Sequence, residues 1–254
     1  MEKLVVITGA SSGFGKEMTK LFSKAGHPVL LLARRVELLE QLVKDENLEH
    51  VLCEKVDVTD YEAFKTAIEK AEGMYGKTDL LVNNAGMMLL GSVTNQDPKE
   101  WQDMLNLNVM GVLNGMQIVI KEMIARNEGT IINISSIAGI KTFGNHAAYC
   151  ATKYGVRALT ETIREEVSHS NVRCLVISPG AAETELLSHT TSQALKDGYD
   201  EWKETMGGKS MDPVHVAESA LFMYSMPQNV TVRELVIALL GRMLKRKKLF
   251  ITTF

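Results

Sequence analysis

The opening of the chain, Leu4-Val5-Val6-Ile7-Thr8-Gly9-Ala10-Ser11-Ser12-Gly13-Phe14-Gly15, passes from an apolar β-type run straight into a cluster of glycines. An amphipathic pattern follows, with Phe14, Met18, Leu21 and Phe22 at helical spacing and Gly26 as its stop. Strand, glycine turn and helix in that order make a loop suited to a pyrophosphate. Glycines let the backbone turn sharply and approach closely, and the free N–H groups at a helix start favour negative charge. The spacing is Gly-x-x-x-Gly-x-Gly, so Gly9, Gly13 and Gly15 form the expected cradle, with Phe14 among them and Ser11 and Ser12 adding hydroxyl donors.

The same alternation continues through most of the chain. Short β-rich runs are predicted at Leu4–Ile7, Val29–Leu32, Val51–Lys55, Leu80–Val82, Thr130–Ile134, Arg173–Ile177 and Val232–Ile237. Helix starts are marked by a capping-box pattern at Thr59 and Glu62, by Asp97-Pro98-Lys99-Glu100, and by Asp212-Pro213. Runs as apolar as Val29-Leu30-Leu31-Leu32 fit strands buried on both faces. The expected fold is therefore α/β: one Rossmann-type domain over residues 1–254, with a doubly wound, parallel, seven-stranded sheet and helices on both faces. Residues 185–210 turn polar and are expected to form a mobile lid over the substrate. Residues 238–254 form a tail with a basic stretch, Lys245-Arg246-Lys247-Lys248, expected to be a solvated surface.

Composition narrows the classes. The 254 residues carry 28 Lys plus Arg against 31 Asp plus Glu, a net charge of −3, with 45% hydrophobic and 23% charged residues. That balance belongs to an ordinary globular protein, and predicts no general attraction to nucleic acid or anionic membranes. Cys53, Cys150 and Cys174 lack Cys-x-x-Cys spacing, so neither a disulfide framework nor a zinc site is expected, and no His, Cys, Asp and Glu cluster suggests another metal. With no signal-peptide pattern and no apolar run near the roughly 20 residues of a membrane helix, the expectation is a cytoplasmic protein without membrane insertion.

The end of the second predicted strand speaks to the ligand. Dinucleotide sites that bind a free ribose place an acidic residue there, but this chain reads Ala33-Arg34-Arg35. A guanidinium fork grips a 2′-phosphate that a carboxylate would repel, so the expected cofactor is NADP(H), with Arg34 as principal contact and Arg35 as helper.

Three further segments put polar residues at the ligand edge of the sheet. Asn83-Asn84-Ala85-Gly86 ends the fourth strand, and Asn84, Ala85 and Gly86 are expected to offer backbone contacts to the cofactor. Asn108 falls on the apolar stripe of Trp101, Met104, Leu105 and Val112, where a buried amide needs a specific partner. Ser136 ends the fifth strand, and Tyr149 and Lys153 stand four apart on one face of a predicted helix. A phenol has an ordinary pKa of about 10, and a neighbouring ammonium, together with the positive charge of an oxidised nicotinamide, is expected to lower it into the acid-base range.

Taken together, these motifs resemble the short-chain dehydrogenase/reductase (SDR) family over nearly the whole chain. The resemblance implies Asn108, Ser136, Tyr149 and Lys153 as the catalytic set. Ser136 is preferred to Ser135 by its thirteen-residue spacing from the tyrosine. It implies that Lys153 also holds the nicotinamide ribose, and that Asn108 anchors a water leading to Lys153. It further implies Asp57 and Val58 beside the adenine, and Pro179, Gly180 and Thr184 beside the nicotinamide. Ala33-Arg34-Arg35 resembles the NADP-preferring subgroup. The closing segment from Met226-Pro227 to Glu234-Leu235 is similar to serine and 3-hydroxy acid dehydrogenases, although the tail after Ile237 departs from them. A homotetramer or homodimer is the implied assembly.

The expected reaction is reversible hydride transfer between the nicotinamide and a small-molecule carbonyl or alcohol. Met87, Met88, Ile137, Phe143, His146, Leu186 and Leu187 are the expected pocket, with His146 a loop or interface residue. A carboxylate substrate would need a cation there, and the segment supplies only Lys196, Lys203 and Lys209, which favours a neutral aldehyde or ketone over a hydroxy acid. A methyltransferase would require an acid where Arg34 stands, and a redox-sensing regulator that binds NADPH without turnover would be expected to lack Tyr149 or Lys153.

Overall fold

The computed structural model describes residues 3–205 and 210–240. The basic stretch at 245–248 and Lys209 lie outside the described residues. Seven parallel strands form one sheet: β1 (Leu4–Thr8), β2 (Val29–Ala33), β3 (Val51–Lys55), β4 (Thr78–Asn83), β5 (Gly129–Ile134), β6 (Val172–Pro179) and β7 (Glu234–Ile237), in the order β3-β2-β1-β4-β5-β6-β7. This is the doubly wound Rossmann-type fold that the alternation predicts.

The two-residue period of a strand explains why the sheet is apolar throughout. In β1, Val5 and Ile7 enter one core while Leu4 and Val6 enter the other; in β2, Val29, Leu31 and Ala33 separate from Leu30 and Leu32 in the same way. The first core is closed by α1 (Gly13–Lys24) through Met18 and Phe22, by α2 (Val36–Asp45) through Leu39, and by α8 (Val214–Ser225) through Val216, Ala217, Ala220 and Met223. The second is closed by α3 (Tyr61–Tyr75) through Phe64 and Ile68, by α5 (Gly111–Ala125) through Val112, Met116 and Val119, and by α6 (Ala147–Glu166) through Val156. Two buried amides in register across β4 and β5 tie this core together. Asn83 donates to Asn133, and Asn133 donates to Thr160 on α6, at 2.9 and 2.8 Å.

Helix termini follow their sequence signals with one correction. Asp97 caps α4 (Pro98–Leu105) by accepting from the Lys99 amide, with proline in the first turn, and Asp212 accepts from the Val214 amide before α8. The Thr59–Glu62 capping box does not form. Asp60, one residue later, caps α3 by accepting from the Ala63 amide, because Asp57 already holds the backbone and hydroxyl of Thr59. The polar segment at 185–210 is also more regular than a loop. It contains a short 3₁₀ turn at Glu185–His189 and α7 (Gln193–Thr205).

Strand order reverses between β1 and β4, where successive units wind to opposite sides. A crevice therefore opens outside the carboxyl ends of these strands, the place where such sheets hold ligands.

Candidate active site

Two adjoining cavities occupy that crevice. The first, a groove of about 370 Å³, is lined by the loop from Gly9 to Phe14, by Arg34, Arg35, Asp57 and Val58, by Asn84, Ala85 and Gly86, and by Tyr149, Lys153 and Thr184. Most of the expected cofactor residues thus share one surface, although their sequence positions span most of the chain. Gly15 lies beneath it as packing: a Cβ there would come within 2.4 Å of the Gly9 carbonyl oxygen. Gly9 adopts φ +63°, a conformation that side chains disfavour, and a Cβ on it would press into Ala85 at 2.8 Å. Ser12 is extended at the start of α1 and its side chain makes no capping bond.

Thr8, which the sequence reading passed over, joins the loop to the β4 turn. Its hydroxyl accepts from the Asn84 and Ala85 amides at 2.9 and 3.0 Å, while the Asn84 side chain donates to the carbonyls of Thr8 and Gly9. The signal was present as the first residue of the Thr-Gly motif. Two of the backbone amides expected to face a cofactor are therefore engaged by the protein.

The arginines differ from each other. Arg34 is exposed on the groove and makes no hydrogen bond or ion pair to the described residues, whereas Arg35 pairs with Glu185 at 2.7 Å and reaches Ser11 at 3.5 Å. The Arg35 guanidinium holds the Glu185 carboxyl below its ordinary range. Helping to bind a phosphate would require Arg35 to exchange Glu185 for it.

The second cavity, about 680 Å³, begins where the first ends, and Ser135, Tyr149 and Thr184 line both. Ser136 lines this larger pocket, and its hydroxyl stands close enough to the Tyr149 phenol to pull the phenol's pKa down. Ser136 also accepts from the Ala138 amide, while the buried Ser135 hydroxyl donates to the Lys153 carbonyl at 2.9 Å, so the two serines divide into a site group and a structural group. Pro179 and Gly180 line the pocket rather than the groove, with Gly180 held to Ile237.

Burial pushes the Tyr149 phenol above its ordinary value, against the pull of the Ser136 hydroxyl, which lowers it. Lys153 stands 5.8 Å from the ring centroid, is 6% exposed, and donates to the Ile134 carbonyl at 2.9 Å; burial lowers its own pKa from 10.5 to about 8.

Asn108 is buried, as its place on the apolar stripe requires. Its amide accepts from the Met87 N–H, donates to the Met87 carbonyl, both at 2.9 Å, and donates to Thr152 at 3.1 Å. Protein groups meet both ends of the amide, which makes Asn108 a residue that fixes the Met87 backbone and the turn of α6 that carries Thr152 and Lys153. A π-helical turn at Asn106–Met110 between α4 and α5 turns it inward, an irregularity that periodicity does not reveal. Met87 is accordingly absent from the pocket wall. Met88, Ile137, Phe143, His146, Leu186 and Leu187 line it as expected, and Leu90, Leu195, Tyr199 and Trp202 join them.

Residues 3–195 match the family model described as short chain dehydrogenase. The chain belongs to the short-chain dehydrogenase family. An oxidoreductase of Staphylococcus saprophyticus without an assigned activity is 37% identical over 93% of this chain and 95% of its own length. Among solved structures, the closed form of a serine dehydrogenase complexed with NADP+ has a TM-score of 0.84 at 29% identity, covering 92% of this chain and 94% of its own. An actinorhodin polyketide ketoreductase with NADPH has a TM-score of 0.85 at 26% identity, covering 93% and 96%. Membership of this family makes the chain an oxidoreductase of the dehydrogenase/reductase type with a nicotinamide cofactor. Among the described residues, no helix is long and apolar enough to cross a membrane, and no group of three His, Cys, Asp or Glu is placed to hold a metal ion.

Proposed function

We propose that this short-chain dehydrogenase uses NADP(H) to interconvert a carbonyl compound and its alcohol, with reduction of an aldehyde or ketone as the favoured direction. The observation that carries the reading is the junction of the two cavities: Tyr149, with Ser136 beside it, stands between a groove bordered by two arginines and a separate pocket. The groove's residues suit the cofactor chemically, since Arg34 offers a fork to a 2′-phosphate and no carboxylate occupies the end of β2.

In the proposed reduction Tyr149 donates its proton to the forming alkoxide, and Ser136 donates a hydrogen bond to the same oxygen, which stabilises its developing charge. When bound, the nicotinamide would supply or accept the hydride. Lys153, 5.8 Å from the Tyr149 ring centroid, would hold the nicotinamide ribose and would contribute positive charge when protonated. Asn108 positions, through Met87 and Thr152, the surfaces on which these groups sit. We assign the cytoplasm and a homodimeric or homotetrameric assembly to the same reading.

Replacing Tyr149 tests it: Tyr149→Phe is expected to bind NADPH, measured by its fluorescence, while losing carbonyl-dependent NADPH oxidation. Retained turnover would overturn the scheme. A second reading, oxidation of a serine-type or 3-hydroxy acid, is favoured by the likeness to serine dehydrogenase.

A further inference from the structure

The larger pocket has an aromatic wall that starts at the catalytic residue. The His146 ring lies 6.3 Å from Tyr149 and 6.1 Å from Tyr199, Tyr199 lies 5.3 Å from Trp202, and Phe143 lies 5.6 Å from Trp202 and 5.7 Å from His146, all between centroids. All five side chains line the cavity. The far half of this wall, Tyr199 and Trp202, comes from α7. That segment is secured against the opposite side of the pocket by Thr190. Its hydroxyl is buried, accepts from the Leu90 amide and donates to the Met88 carbonyl.

Charge on the lining points the same way. Lys203 is the only lysine or arginine of the described residues on the wall, and it is paired with Asp200 at 2.6 Å and lies over the Tyr199 ring. Glu183 adds a further carboxylate. Burial lowers the His146 pKa, which disfavours its cationic form. A substrate carboxylate entering this cavity would lose its water without gaining an unpaired cation, an unfavourable exchange. Flat apolar groups gain both area burial and ring contacts.

We infer that the site takes neutral ketones or aldehydes bearing an aromatic or similarly flat apolar group beside the carbonyl, and that Tyr199 and Trp202 on α7 select them. This rests on the proposed carbonyl reduction and names its substrate class. The carbonyl sits at Tyr149 and Ser136, and the flat group extends along His146 toward α7.

Matched diketones provide the test. 2,3-Butanedione and 1-phenyl-1,2-propanedione differ by a phenyl in place of a methyl, and phenylglyoxylate keeps the phenyl but adds a carboxylate. With NADPH, the wild-type protein is expected to show a kcat/KM at least about tenfold higher for the phenyl diketone than for butanedione, and to leave phenylglyoxylate nearly untouched. Trp202→Ala and Tyr199→Ala should each reduce severalfold the ratio of kcat/KM for the phenyl diketone to that for butanedione, mainly by raising KM for the phenyl diketone; Trp202→Phe should retain the ratio. Equal rates for the two diketones, a preference for phenylglyoxylate, or a parallel loss on both diketones in the variants would each overturn the inference. If no carbonyl is reduced by any protein, the proposed function fails. Calorimetric binding of the phenyl diketone to wild-type protein with NADP+ then still decides the present point: tight binding weakened by Trp202→Ala supports it, and absence of binding refutes it.

Discussion

Burial acts on both Tyr149 and Lys153, disfavouring the charged form of each, so the Tyr149 phenol moves up and the Lys153 ammonium moves down to about 8. A folded-state pKa below the unfolded one means that, between about 8 and 10.5, the unfolded chain binds more protons than the folded one. Lys153 therefore subtracts from stability below that window and ceases to do so as pH rises through it. Relative to Lys153→Met, the wild-type protein should gain stability from pH 8 to pH 10, read as the difference between urea midpoints; parallel pH curves would contradict the assignment. The arginines carry a second prediction. Arg34→Ala should raise KM for NADPH by about ten- to a hundredfold, the scale of losing a charge-assisted contact, and leave KM for NADH nearly unchanged. Glu185→Gln removes the partner of Arg35 from an exposed ion pair that contributes little stability. It should tighten NADPH binding severalfold, measured by fluorescence titration, with no change in melting temperature.

At the scale of elements, the site depends on irregular pieces packed onto regular ones. The π turn at Asn106–Met110 turns Asn108 toward the Met87 backbone, and Asn108→Ala would leave a buried N–H, a carbonyl and the Thr152 hydroxyl short of a partner. The expected loss is about 1–3 kcal/mol in urea unfolding, together with a lower kcat, because Met87 adjoins the pocket wall. That Asn108 is buried and partnered was readable from its place on an apolar stripe. That both ends of its amide meet protein groups was not, since its partners lie 21 and 44 positions away. The failed capping box teaches the same lesson locally. Thr59 and Glu62 have the right spacing, yet Asp57 competes for Thr59 and leaves the cap to Asp60.

For the whole molecule, a single sheet separates two cores, and neither can persist without it. Phe22 and Phe64 are fully buried on opposite faces. Phe22→Ala and Phe64→Ala should each cost about 3–5 kcal/mol and each shift one common unfolding transition, followed by circular dichroism and fluorescence together. Separate transitions would mean that the two layers fold independently.

Sequence alone determined the sheet, because strand alternation and the glycine turn are local patterns whose period matches the backbone geometry. It also determined the positions of Ser136, Tyr149 and Lys153, where motif spacing is short. Tertiary structure alone decided the rest: that Arg35 is tied to Glu185 across 150 positions, that burial raises the Tyr149 phenol, and that Tyr199 and Trp202 complete the pocket. Each of these depends on desolvation or on contacts between distant segments, and neither is set by the order of neighbouring residues.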